Sequence, residues 1–282
     1  MKRGTRLGVA LGGGGARGLA HIGVLIELLE AGIRPEFVAG TSMGAIVGAA
    51  YAVGQDLEKL VRVLEHLDLA RIFGVPETYE RVLGQAVAES LWGRLRQRAW
   101  WEEGSPRLSR MLEFLRLFTK GMWFEDIEIP FVAVAADLVT GDEVRIDEGA
   151  VHHGVAASAA LPGLFGPVQW RKRYLVDGGV VNNLPIDVVE GLGARTVLAV
   201  DVTAPLGPLP KTLVGAALRA REITAHELQR VKTELARGRL GQRLVLIHPD
   251  VDAIGALEFK RISEAVEAGR EAARSALPHL MV

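Results

Sequence analysis

Ser42 lies in Gly40-Thr41-Ser42-Met43-Gly44, a G-x-S-x-G pattern set between an apolar run and a stretch of helix formers. That spacing suits a sharp strand-to-helix turn, which lifts a serine hydroxyl clear of a sheet and tolerates only small neighbours. Ala45, Gly48, Ala49 and Ala50 follow, small enough for the next helix to lie close to the sheet. A helix N-terminus beneath Ser42 would also favour negative charge developing there, as in acyl transfer. A plain turn of small residues is the other reading, and the strand and helix signals on either side favour the nucleophile.

A glycine run precedes it. Gly13-Gly14-Gly15-Ala16-Arg17-Gly18 fits G-x-G-x-x-G after one apolar run and before a helix. A dinucleotide-binding turn would want an acidic residue at the end of the next strand. Here Glu36 comes before that strand, which ends in Gly-Thr-Ser. A P-loop is excluded as well, because Leu19 follows Gly18 where lysine belongs. Consecutive glycine N–H groups at the positive end of a helix suit an oxyanion, and beside a serine turn they predict an oxyanion hole.

A nucleophilic serine needs a base, and two candidates compete. Asp201 and His248 each end an apolar run and would give a Ser–Asp–His order. Against them, Ser42 comes after a single strand–helix unit, early for the central nucleophile of such a fold. The second candidate is Asp177 in Asp177-Gly178-Gly179, although Asp-Gly between Tyr174-Leu175-Val176 and Val180-Val181 also reads as a hairpin turn. Taken alone, the residues leave both open. His21, His66, His152, His153, His226 and His279 show no metal-ligand spacing and read as surface or capping groups.

The elements that must position these groups follow from periodicity. Leu7–Leu11 and Phe37–Ala39 read as buried strands, each followed by a helix, at 16–30 and 43–53. This strand–helix–strand–helix opening favours a parallel sheet covered on both faces. Strand signals vanish over about 71–125, where an insertion of helices is expected, one starting at Ser105-Pro106. They return at 131–136, 144–146, 167–170 and around Leu175-Val176. The runs 196–202 and 244–248 look like strands buried on both faces, and helices are expected over 212–238 and 259–276. One α/β/α domain over 1–282 is the expectation.

Composition narrows the function. The 282 residues carry 33 Lys+Arg against 34 Asp+Glu, so no basic field collects nucleic acid. Cysteine is absent, which excludes thiol nucleophiles, disulfides and zinc–thiolate sites. No apolar run approaches the ~18 residues of a membrane span, and Met1-Lys2-Arg3 opens no signal peptide. A cytoplasmic protein is expected.

Four blocks, LGGGGARGLAHIGVL, GTSMGAIVGA, ASAALPGLFGPV and DGGVVNNLP, occur in this order. The set closely resembles the patatin-like phospholipase family, in particular its short bacterial single-domain members, over roughly residues 7–205. The resemblance implies a three-layer α/β/α fold with a mostly parallel sheet. It also implies a Ser–Asp dyad that hydrolyses carboxylic esters of lipids or phospholipids through an acyl-enzyme, with no metal or organic cofactor. Ser42 would be the nucleophile and Asp177 the proton acceptor, with the Gly13, Gly14 and Gly15 N–H groups as oxyanion hole. Arg17 matches the family's basic position, Gly40, Gly44, Gly178 and Gly179 shape the turns, and Ser158–Pro167 would shape the site wall. A protein that keeps this scaffold to bind lipid or nucleotide, with weak esterase activity, is the alternative.

Two further expectations come from composition. Asn182 and Asn183 are the only asparagines in the chain. Local geometry next to Asp177 should therefore demand them, through αL backbone or a cap on the helix near Pro185. Trp92, Trp100, Trp101 and Trp123 gather in the insertion beside arginines, and read either as the core of a helical cap or as a contact with an anionic membrane surface.

Overall fold

The computed structural model describes residues 6–74 and 106–280. Among the described residues eight strands form one sheet: β1 (Leu7–Leu11), β2 (Phe37–Thr41), β3 (Phe131–Asp137), β4 (Glu143–Ile146), β5 (Val168–Trp170), β6 (Arg173–Asp177), β7 (Thr196–Val200) and β8 (Leu244–Ile247). Their order is β5-β6-β3-β2-β1-β7-β8, with β4 also paired to β3. The β3-β2-β1-β7-β8 portion is parallel, and β4, β5 and β6 pair antiparallel.

Alternation along the strands divides the core into two layers. Val9 and Leu11 join the larger cluster, whereas Ala10, between them, joins the smaller one. The larger layer holds α1 (Ala20–Glu30), α2 (Met43–Ala52), α3 (Leu57–Glu65), α4 (Leu69–Phe73), α5 (Pro106–Phe118), α6 (Val151–Ser158) and α9 (Ile262–Leu280). The smaller layer holds α7 (Ile186–Gly191) and the C-terminal turns of α8 (Leu213–Leu240), through Ala236 and Leu240. The fold is thus the expected three-layer α/β/α arrangement with a mostly parallel sheet.

Several boundaries differ from expectation for identifiable reasons. The helix expected from residue 16 begins as a 3-10 turn, Gly15–Leu19, and becomes α-helical at Ala20. The tighter winding is common at helix starts, and a Cβ on Gly18 would stand 2.6 Å from the Met43 side chain. β8 is half-buried along its whole length because, among the described residues, it is an edge strand that pairs only with β7, and is not doubly buried as its apolar run suggested. The last helix continues past Ala276 and carries Pro278 inside it. Of the expected insertion, α5 packs Leu108, Met111, Leu115 and Phe118 into the larger core, and Phe73 meets Phe114 edge-on. Trp92, Trp100 and Trp101 lie outside the described residues, and Trp123 is 56% exposed.

The sheet register explains how distant segments meet. Thr41, the last residue of β2, pairs with Val134 on β3, and Asp177, the last residue of β6, pairs with Ala135. Since β2 runs parallel to β3 and β6 antiparallel to it, the two strands run toward each other and end at consecutive β3 positions.

Candidate active site

The turn after β2 has the geometry its sequence requires. Ser42 has φ 55° and ψ −121°, a left-handed backbone state that a residue with a side chain adopts only when its surroundings impose it. The glycines on either side make the approach possible. A Cβ on Gly40 would lie 2.3 Å from the Gly44 carbonyl oxygen, and one on Gly44 would lie 2.1 Å from that of Leu11. The strand and α2 therefore touch backbone to backbone, which leaves the serine at the apex.

Ser158, at the end of α6, holds that apex. Its buried hydroxyl accepts the Ser42 N–H at 3.0 Å and donates to the Val134 carbonyl at 2.5 Å. The sequence placed Ser158 in the site wall without this role. Thr41, fully buried, donates its hydroxyl to the Asn182 carbonyl at 2.8 Å and ties the turn to the segment after Asp177.

Asp177 does not begin a two-residue hairpin. Residues Gly178–Val180 form a 3-10 turn, and the Asp177 carboxylate accepts the Gly179 N–H at 2.8 Å. Gly178 has no room for a side chain, since its Cβ would stand 2.2 Å from the Val134 carbonyl oxygen. The carboxyl group is buried, and burial raises its pKa above the ordinary aspartate value. The Ser42 hydroxyl, the Gly179 N–H and the Arg221 charge work in the opposite direction by stabilising the carboxylate. Ser42 and Asp177 face the same cavity of about 250 Å³, with Gly13, Gly14, Gly15, Arg17 and Asn183 also on its wall.

The glycine run lies across this cavity and requires one correction. Gly13 N–H is engaged by the Asn183 carbonyl at 3.0 Å, so it is not available to an oxyanion. The Gly14 and Gly15 N–H groups have no hydrogen-bond partner among the described residues. Gly15 has φ 60°, and a Cβ there would stand 2.1 Å from the Ala256 carbonyl oxygen. His21 braces the run from below. It is fully buried, donates Nε2–H to the Gly12 carbonyl at 2.7 Å, and is kept neutral by burial, which lowers its pKa to about 4. It is neither a surface nor a capping group. His226 is not simply a surface residue either, because it lines the cavity from α8.

The asparagines act differently from expectation. Neither has a positive φ, and neither caps α7. Asn183 instead donates its amide to Gly13 O at 3.2 Å, Thr203 Oγ1 at 3.3 Å and Gln229 Oε1 at 2.9 Å. Asn182 donates to Glu143 Oε2 at 3.0 Å and Asp187 Oδ1 at 2.9 Å, and so stands between two carboxylates. Arg17 lines the cavity with its Nε buried and without a partner among the described residues, and burial lowers its pKa.

The rival base pair is assembled elsewhere. Asp201 and His248 line a separate groove of about 480 Å³ that does not include Ser42. Asp201 is occupied by the Thr203 N–H at 2.9 Å and the Gln229 amide at 2.7 Å, and His248 faces Asp252 at 3.3 Å. Among the described residues, no group of three or more acidic, histidine or cysteine side chains could hold a metal ion.

On the other side of Ser42 the wall is apolar. Met43, Ile46, Phe73, Met111, Phe165 and Phe259 enclose a narrow slot of about 60 Å³ that opens at Ser42 and Gly15. The serine thus stands between an apolar slot and a polar cavity.

Comparison with known proteins finds relatives over nearly the whole chain. An uncharacterized NTE family protein of Mycobacterium tuberculosis is 33% identical over 97% of this chain and 47% of its own length. Lysophospholipase NTE1 of Pyricularia oryzae is 28% identical over 94% of this chain and 18% of its own length. The chain spans about half the length, or less, of these curated relatives. The crystal structure of VipD from Legionella pneumophila superposes with a TM-score of 0.50 at 18% identity, covering 96% of this chain and 66% of that one. The profile of the patatin-like phospholipase family matches residues 9–189, from β1 through most of α7, and the chain belongs to that family.

Proposed function

We propose that the protein is a lipid acyl hydrolase that cleaves carboxylic esters through an acyl-enzyme on Ser42, with Asp177 as the base. The observation that carries this reading is the convergence of the strained Ser42 turn and the buried Asp177 carboxylate on one cavity, between the glycine run and an apolar slot. Family membership supports the reading.

The reaction runs as two acyl transfers. The Ser42 hydroxyl attacks the ester carbonyl carbon while its proton passes to Asp177. Burial raises the affinity of Asp177 for a proton, which makes it a stronger base than a solvated aspartate. The carbonyl oxygen becomes an oxyanion and takes the Gly14 and Gly15 N–H groups at the start of the 3-10 turn. The tetrahedral adduct collapses, the ester C–O bond breaks, and the leaving alkoxide takes the proton from Asp177. Water then repeats the sequence, with Asp177 as its base, to release the fatty acid and restore the Ser42 hydroxyl. Arg17, desolvated beside the oxyanion site, adds positive potential there. The chain's own residues supply every step, and the apolar slot beside Ser42 receives the first carbons of the acyl group.

The test is ester turnover with a lysophospholipid in micelles. Wild-type protein releases fatty acid, and Ser42→Ala and Asp177→Asn do not. Turnover that persists in both variants would contradict the reading. Complete inactivity of the wild type on every ester tried would favour the scaffold-retaining binding protein.

A further inference from the structure

We propose that Arg221 of α8, acting with Arg17, holds the phosphate of the leaving head group in the cavity beside Ser42. The preferred substrate is then a lipid ester with a compact, net-anionic head group, over a choline or uncharged one. The proposal rests on the acyl-hydrolase reading of Ser42 and names which esters that site selects.

The two sides of Ser42 differ in what they can hold. The slot at Met43, Ile46 and Phe165 is apolar and suits carbon. The alcohol half of the ester is left to the polar cavity, where Arg17, Asn183, Arg221 and His226 stand on the wall. At about 250 Å³ this cavity is smaller than the ~300–1,000 Å³ of sites for drug-sized ligands, which fits a small head group.

The ion pairs of α8 single out one cation. Arg219, Arg230, Lys232, Arg237 and Arg239 each pair with a glutamate, namely Glu222, Glu227, Glu143, Glu234 and Glu190. Arg221 is the remaining basic residue of the helix, and it has no hydrogen bond or ion pair among the described residues. It is half-buried on the wall of the cavity, and its charge reaches the Asp177 carboxylate.

Arg17 faces the same space with its buried Nε unsatisfied among the described residues. The carboxylates around it are engaged elsewhere. Glu222 is held by Arg219, Asp201 by the Thr203 N–H and the Gln229 amide, and Asp252 faces His248. Two partly desolvated guanidiniums without counter-ions are costly, and a phosphate supplies both with charge-assisted bonds. A quaternary ammonium finds the reverse: no Trp, Tyr or Phe ring lines this cavity among the described residues.

The experiment compares kcat/KM of the full chain for three monoacyl esters with one short acyl chain, each below its micellar concentration. They are lysophosphatidic acid, lysophosphatidylcholine and monoacylglycerol. The wild-type protein should favour lysophosphatidic acid over both others. Arg221→Gln should lower the ratio of kcat/KM for lysophosphatidic acid to that for monoacylglycerol by about tenfold or more, chiefly through KM. The ratio cancels the effect of the Arg221 charge on Asp177, which all three esters share. Arg221→Lys should restore part of the preference. Inorganic phosphate should compete with lysophosphatidic acid in the wild type, and more weakly in Arg221→Gln.

A ratio unmoved by Arg221→Gln would overturn the proposal, as would a wild type that favours the choline or the uncharged ester. Competition by free phosphate without a preference for lysophosphatidic acid would overturn it too, since the site would then hold an ion and no head group. In each of these cases turnover of monoacylglycerol leaves the hydrolase reading standing, whereas no turnover of any of the three esters would remove both.

Discussion

The Ser42 N–H is held by Ser158 Oγ at 3.0 Å, and the same hydroxyl reaches the Val134 carbonyl at 2.5 Å. A buried serine on α6 thus links the strained Ser42 backbone to β3, the strand against which Asp177 is registered. The serine turn and the aspartate share one frame.

Ser158→Ala removes that link and leaves two buried polar groups without their partner. The expected cost is about 1–3 kcal/mol of stability for each unsatisfied group, read as a lower Tm. Relaxation of Ser42 from its φ of 55° should lower kcat more than it raises KM, because the serine loses its position rather than its pocket. An unchanged kcat in a folded Ser158→Ala protein would contradict the linkage.

Asp177 sets a pH dependence of known sign. Burial raises its pKa, so the folded protein binds this proton more readily than the unfolded chain. Its contribution to stability therefore becomes less favourable as pH rises past the unfolded value of about 3.9. Asp177→Asn should raise Tm at pH 7, with the gain shrinking toward acid pH, while turnover falls by about 10²–10⁴-fold. The acid limb of kcat/KM in the wild type should lie above that of a solvated aspartate. Thermal melts across pH and the kinetic profile check both.

Asn183→Ala should loosen the glycine run, since the amide joins Gly13 to Thr203 and to Gln229 on α8. Activity should fall more than stability does. Asn182→Ala should do the reverse, because it leaves Glu143 and Asp187 without the amide that stands between them, at a cost of about 1–3 kcal/mol. Separate melting and kinetic measurements on the two variants distinguish them.

The strand-to-helix turn at Ser42 was more legible in the sequence than the scaffolding around it. G-x-S-x-G and Asp-Gly-Gly are local patterns whose backbone demands can be read from residue size. Gly40 and Gly44 meet those demands with contacts that no side chain would survive. What joins them is the registration of β2 and β6 on the two sides of β3, which brings together segments more than 130 positions apart that no local spacing connects. His21 was misread because a histidine on a helix carries no sign that a glycine-loop carbonyl lies beneath it. The asparagines were singled out by their rarity, but the mechanism inferred was local, whereas their bonds reach the glycine run after β1, β4 and α8. The Gly13 N–H was assigned to the oxyanion hole because nothing in the glycine run reveals the Asn183 carbonyl opposite it.

His248→Ala should keep most of the activity. The imidazole is exposed, faces Asp252 and lines a groove apart from Ser42. A loss as severe as that of Ser42→Ala, in a protein that still melts cooperatively, would restore the Ser–Asp–His arrangement.

The central claim is that Ser42 is a nucleophile activated by Asp177, and covalent labelling tests it most directly. A fluorophosphonate probe reacts with an activated serine hydroxyl and leaves a bond visible by mass spectrometry. The account predicts labelling of the wild-type protein at Ser42, strongly slowed in Asp177→Asn, unchanged in His248→Ala and absent in Ser42→Ala. Labelling that persists in Ser42→Ala, or that proceeds at the wild-type rate in Asp177→Asn, would contradict it.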